Sequence, residues 1–103
     1  MLADNDNFFI MQGDGNMSLF KVPKKGGEAV KIAPSINNAL HFYADDTNVY
    51  FVLNEGTFGT SLNKVSKNGG DITKLDSGYI ASYTIGKDKI YVTDIAKIYA
   101  LGK

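Results

Sequence analysis

Ser18-Leu19-Phe20-Lys21-Val22-Pro23-Lys24-Lys25-Gly26-Gly27-Glu28 returns later in the chain as Ser61-Leu62-Asn63-Lys64-Val65-Ser66-Lys67-Asn68-Gly69-Gly70-Asp71. On its N-terminal side, Phe8-Phe9-Ile10 returns as Val49-Tyr50-Phe51 and again as Ile90-Tyr91-Val92, each about 41 residues after the last. In the first stretch Leu19, Lys21 and Pro23 point one way and Phe20 and Val22 the other, a period of two that marks a strand. The glycine pairs tolerate positive φ and let the chain reverse at once. No segment carries a sustained helical period, so the chain reads as all-β.

Each period divides into four short runs. The first is Leu40 to Ala44, matched by Ala81 to Ile85, with Met1-Leu2-Ala3 as a stub in the corresponding place. Polar turns follow at Asp4-Asn5-Asp6-Asn7, Asp45-Asp46-Thr47-Asn48 and Gly86-Lys87-Asp88-Lys89. The second run is Phe8 to Met11, Val49 to Leu53 and Ile90 to Thr93, rich in β-branched and aromatic residues. The third is the alternating stretch, with Lys97 to Leu101 as its last copy. The fourth, Glu28 to Ala33 and Asp71 to Asp76, carries Lys31 and Lys74 in equivalent places, where a lysine guards an outer strand against edge-to-edge pairing.

Four-stranded units with a period near 40 residues are the signature of β-propeller blades. Residues 1–103 read as a single propeller fragment with blade repeats at approximately 1–39, 40–80 and 81–103. The strand count predicts a first blade short of most of its inner strand and a third short of its outer one. Propeller rings need roughly four to eight blades, each packed on two neighbours, so the ring is expected to be incomplete and closed by oligomerisation. Two chains giving six blades is the favoured closure, and a homodimer the expected state.

The resemblance is to propeller repeats of the YWTD, NHL and TolB-like class. Tyr91-Val92-Thr93-Asp94 stands where the YWTD tetrapeptide would and keeps three of its four letters. Phe9-Ile10-Met11-Gln12 and Tyr50-Phe51-Val52-Leu53 have drifted from it. Lys-Val-x-Lys-x-Gly-Gly-acidic is similar to a segment common in bacterial propellers of unknown function. The resemblance implies a fold and no activity, since members bind proteins, sugars or small ligands, and some catalyse.

Composition narrows the partners. Eleven Lys+Arg balance eleven Asp+Glu, so no net field favours nucleic acid or an anionic membrane. No stretch approaches the ~18 apolar residues of a membrane span, and Met1 to Asn7 lacks the basic and apolar regions of a secretory leader. Without cysteine there is no disulfide framework, thiolate nucleophile or cysteine metal site; this fits a reducing compartment without fixing the localisation.

The residues that carry chemistry are few. His41, the single histidine, falls in an inner strand lining a central channel, but one histidine makes neither a zinc site nor a triad. The Asp-rich turns from Asp4 and Asp45 resemble the start of a calcium loop, but counting from Asp4 the required glycine and glutamate positions hold Phe9 and Gly15. They read as ordinary turns. Lys24, Lys67 and Lys103 read as a solvated rim. Gln12 to Asn16 and Asn54 to Thr60 form longer loops, where binding usually resides. Phe58 there is either a partner contact or a plug against the next blade. Tyr79 and Phe58 are the exposed aromatics that would suit a carbohydrate, while most tyrosines read as core.

No catalytic, cofactor or metal residue is assigned; His41, Phe58 and Tyr79 are the candidate channel or loop contacts. The leading expectation is a non-enzymatic propeller module that self-assembles into a ring and serves as a scaffold or as a surface for a small ligand or protein. The alternative is a fragment of a hydrolase- or lyase-type propeller, or of a bacterial surface sensor or adhesion domain.

Overall fold

A computed structural model describes residues 2–103, apart from the side chain of Phe58. Among the described residues the chain forms eleven strands and one 3-10 turn, Gly56–Phe58. The strands make three antiparallel sheets, each joined up and down in chain order. The first sheet holds β1 (Leu2–Ala3), β2 (Asn7–Gln12), β3 (Ser18–Pro23) and β4 (Val30–Ala33). The second holds β5 (Leu40–Ala44), β6 (Asn48–Asn54), β7 (Thr60–Ser66) and β8 (Thr73–Gly78). The third has three strands: β9 (Ser82–Ile85), β10 (Lys89–Thr93) and β11 (Ile98–Gly102).

Register explains the stacking. Phe9 pairs with Lys21, Tyr50 with Lys64 and Tyr91 with Ala100, so the same register position recurs in each sheet. Successive side chains point to opposite faces. Phe9 and Leu19 of the first sheet therefore meet Val49, Phe51 and Val65 of the second in one core, joined by Ile32, Ala33 and Ile36. Tyr50, Val52 and Leu62, on the opposite face of the second sheet, meet Tyr83, Ile90 and Val92 of the third in another. The run Val49-Tyr50-Phe51-Val52 is continuously apolar because β6 is covered on both sides.

The outer strands begin later than their sequence suggests, at Val30 and Thr73 instead of Glu28 and Asp71, and β8 runs on to Gly78. The glycine pairs account for the delay. Gly26, Gly27, Gly69 and Gly70 all have positive φ, and the chain crosses several residues after them before pairing resumes. A β-bulge then interrupts β3–β4 between Leu19 and Phe20 and β7–β8 between Leu62 and Asn63, equivalent places in the two sheets.

Candidate functional site

Topology gathers the turns at two opposite edges. One edge carries the turns after β1, β5 and β9 and the Gly-Gly turns after β3 and β7. The other carries the turns after β2, β6 and β10 and the links from one sheet to the next.

On the first edge, each Asp-rich turn closes on its own carboxylate. Asp4 Oδ1 accepts the N–H groups of Asp6 (2.9 Å) and Asn7 (2.7 Å). Asp45 Oδ1 accepts those of Thr47 (3.0 Å) and Asn48 (2.8 Å). These are Asx turns, as the local pattern implied. The second carboxylate oxygen reaches into the next sheet, which the sequence did not disclose. Asp4 Oδ2 pairs with Lys67 Nζ at 2.7 Å, and Asp45 Oδ2 with Lys103 Nζ at 3.0 Å. Lys67 and Lys103 are therefore not a solvated rim. They are cross-sheet clamps with largely covered side chains; Lys24 alone of the three is exposed.

Tyr50 completes the second clamp by donating its hydroxyl to Asp45 Oδ2 at 2.7 Å. Lys67 also lies 5.7 Å from the centroid of the Phe9 ring, the register equivalent of Tyr50. The Lys67 ammonium, with the turn N–H groups, holds the Asp4 carboxyl down at about 2 despite burial. Burial works to raise the Asp45 pKa, but the Asn48 N–H, the Tyr50 hydroxyl, the Thr47 N–H and Lys103 together pull it well below the usual carboxylate range. Burial and the neighbouring carboxylate push Tyr50 up to about 12. Tyr99, donating to Asp76 across the second seam, is likewise pushed up to about 12. Furnished with so many donors, the Asp4 and Asp45 carboxylates are poor proton acceptors, and both lock one sheet to the next.

Along the first strand of each sheet, β1, β5 and β9, Tyr83 donates its hydroxyl to the His41 carbonyl and meets Tyr43 edge-on, centroids 5.1 Å apart. His41 sits at the irregularity of β5 between Leu40 and Tyr43, with φ of 56° and its side chain exposed. Beside this strip a small apolar cavity of about 90 Å3 is lined by Leu2, Phe9, Met11, Leu19 and Phe42.

Tyr79 lies on the opposite edge, 62% exposed, in the link between β8 and β9. Its ring approaches Gly59, where an added Cβ would stand 2.3 Å from the Gly78 carbonyl oxygen. The structure thus brings Tyr79 to the turn that carries Phe58, whose side chain lies outside the described residues, while His41 belongs to β5, the first strand of the second sheet. Thr60 ties this corner by donating to the Gly78 carbonyl at 3.2 Å and accepting from the Ile80 N–H at 3.0 Å.

Two sheet faces have no sheet against them among the described residues. On the first sheet this face carries Phe8, Ile10, Phe20 and Val22; Phe8 is 42% exposed. A shallow groove of about 220 Å3 runs along it between Ile10, Gln12, Phe20, Val22 and Ala29. On the third sheet it carries Tyr91, Thr93, Ile98 and Ala100, with Tyr91 47% and Ile98 76% exposed. Among the described residues no group of three or more His, Cys, Asp or Glu could hold a metal ion. Comparison with protein-family models, curated proteins and solved structures finds no match for the chain.

Proposed function

We propose that the three sheets are blades of a β-propeller, and that the chain is a non-enzymatic module whose ring closes by self-assembly and acts as a scaffold or binding surface. One observation carries this reading: the same sheet-on-sheet contact occurs twice within the chain, and each terminal sheet is left with one half of it uncovered. Apolar side chains held in an open face favour a covering partner, because burying apolar surface is worth about 25 cal/mol per Å2. The binding surface is the edge bearing Tyr79 and the 55–59 turn, with the inner strip of His41 and Tyr43 lining the channel of the closed ring. The saturated Asp4 and Asp45 carboxylates support a structural role for the acidic residues over a catalytic one.

Light scattering on a sizing column tests it. A species of about 22 kDa, twice the 11.2 kDa chain, is expected. A folded monomer at all concentrations would overturn self-assembly.

A further inference from the structure

The two uncovered faces are not alike, and their difference specifies how they meet. Within the chain, the face carrying Phe9 or Tyr50 always packs on the opposite kind of face of the following sheet. Phe9 packs in the core with Val49, Phe51 and Val65, and Tyr50 in the core with Ile90 and Val92, with Leu101 against it. By register, Tyr91 is the third member of the Phe9–Tyr50 set, while Phe8, Ile10 and Val22 are the first members of the set that receives it. The third sheet therefore offers the inserting half of the contact and the first sheet the receiving half.

We infer that the Tyr91 face of one copy docks on the Phe8–Ile10–Val22 face of a second copy, head to tail, in the register of the internal seams. This rests on the self-assembly reading above. The occupant is a second copy because the two halves continue an interface already made twice inside the chain, and each half is present once per molecule. A self-complementary arrangement, first sheet against first sheet, would set two receiving faces together with no inserting residue for either.

The charges follow the same rule and show where the seam is weaker. Lys67 and Lys103 each reach back to the turn carboxylate of the preceding sheet. Lys24 is their equivalent on the receiving sheet; it is exposed and lies 5.4 Å from the centroid of its own Phe8. Docked, it reaches the Tyr91 ring and the β9–β10 turn as Lys67 reaches Phe9 and the Asp4 turn. That turn, however, has Gly86 where the others have Asp4 and Asp45. The intermolecular seam thus lacks the ion pair that both intramolecular seams possess.

The test uses the whole chain and sedimentation of purified variants. Val22→Lys and Tyr91→Lys each alter one exposed face, with far-UV circular dichroism reporting that the sheets persist. Each alone is expected to weaken dimerisation at least tenfold, and an equimolar mixture to recover a 1:1 pair through its one unaltered seam. If a variant loses its strand signal, Val22→Thr or Tyr91→Ser replaces it. Gly86→Asp supplies the missing carboxylate, with its Cβ 3.0 Å from the Tyr91 ring, whose edge must give slightly. It is expected to tighten the dimer about threefold, as an exposed ion pair would, and Lys24→Met is expected to abolish that gain. A wild-type dimer disrupted by only one of the two face variants, or by neither, overturns the head-to-tail seam and leaves self-assembly standing. A wild-type monomer overturns both and leaves the faces to another protein or to flanking chain.

Discussion

Asp45 reaches from the turn between β5 and β6 to Lys103 at the far end of the third sheet, 3.0 Å away and 58 residues later. Asp4 does the same to Lys67 at 2.7 Å. Each aspartate thus performs two tasks with its two oxygens: one shapes its own turn, the other fastens the next sheet. The hydroxyl of Tyr50 shares the second task at Asp45, where Phe9 offers only a ring face beside Asp4.

The Asp4–Lys67 pair predicts a pH-dependent loss of stability. The Asp4 carboxyl is lowered from 3.8 to about 2, so its contribution is complete above about pH 4 and is lost as pH falls through 2. Lys67→Met is expected to cost about 1 kcal/mol at pH 7, since the pair is partly solvated. Urea unfolding of both proteins from pH 7 to pH 2 should show that difference shrinking toward zero. A constant difference would mean the lysine acts through its stem alone.

At the alkaline end the tyrosines act with the opposite sign. Tyr50 and Tyr99, raised from 10.0 to about 12, stay neutral in the folded chain after their unfolded counterparts ionise. Their contribution is present below pH 10 and is lost as pH rises toward 12. Tyr50→Phe removes a hydrogen bond to a charged acceptor and is expected to cost about 1.5–3 kcal/mol at pH 7. Thermal melts between pH 9 and 12 should fall less steeply for the Tyr50→Phe, Tyr99→Phe double variant than for the parent.

Val65 is 1% exposed in the core between the first and second sheets. Val65→Asp would bury an unpaired charge at about 3–5 kcal/mol, a large share of the stability of a domain this size. The expected result is a chain without strand signal in far-UV circular dichroism. Retention of the parental melting temperature would refute the facing given to β7.

His41 holds φ at 56°, a conformation a β-branched residue adopts only with strain. His41→Val is expected to lower stability by about 1–2 kcal/mol, and His41→Asn by much less because asparagine tolerates the left-handed region. Paired chemical denaturation curves decide it. Equal losses would show that the ring, and not the backbone, matters there.

Much of the secondary structure was legible because strand residues declare themselves locally. The alternation from Leu19 to Pro23, the apolar run at Val49 and the glycine pairs each mark a strand or turn without reference to the rest of the chain. The outer strands start about two residues later than the local pattern implies, because Gly26-Gly27 and Gly69-Gly70 both take positive φ and pairing resumes only at Val30 and Thr73. The clamps were hidden for a stronger reason. Asp4 and Lys67 announce a turn and a rim separately, and only the stacking of two sheets brings them to 2.7 Å. The recurrence of both residue types at matched positions was the available signal.

Period-two alternation and turn chemistry act over a few neighbours, so the order of residues is enough to make this chain all-β, to place its turns and to set which side chains share a face. Which face meets which, that Lys67 and Lys103 are clamps while Lys24 stays exposed, and that Tyr91 and Phe8 are left uncovered are visible in the folded chain alone. Those outcomes depend on how whole sheets stack, a contact between segments some 40 to 60 residues apart that no local pattern encodes.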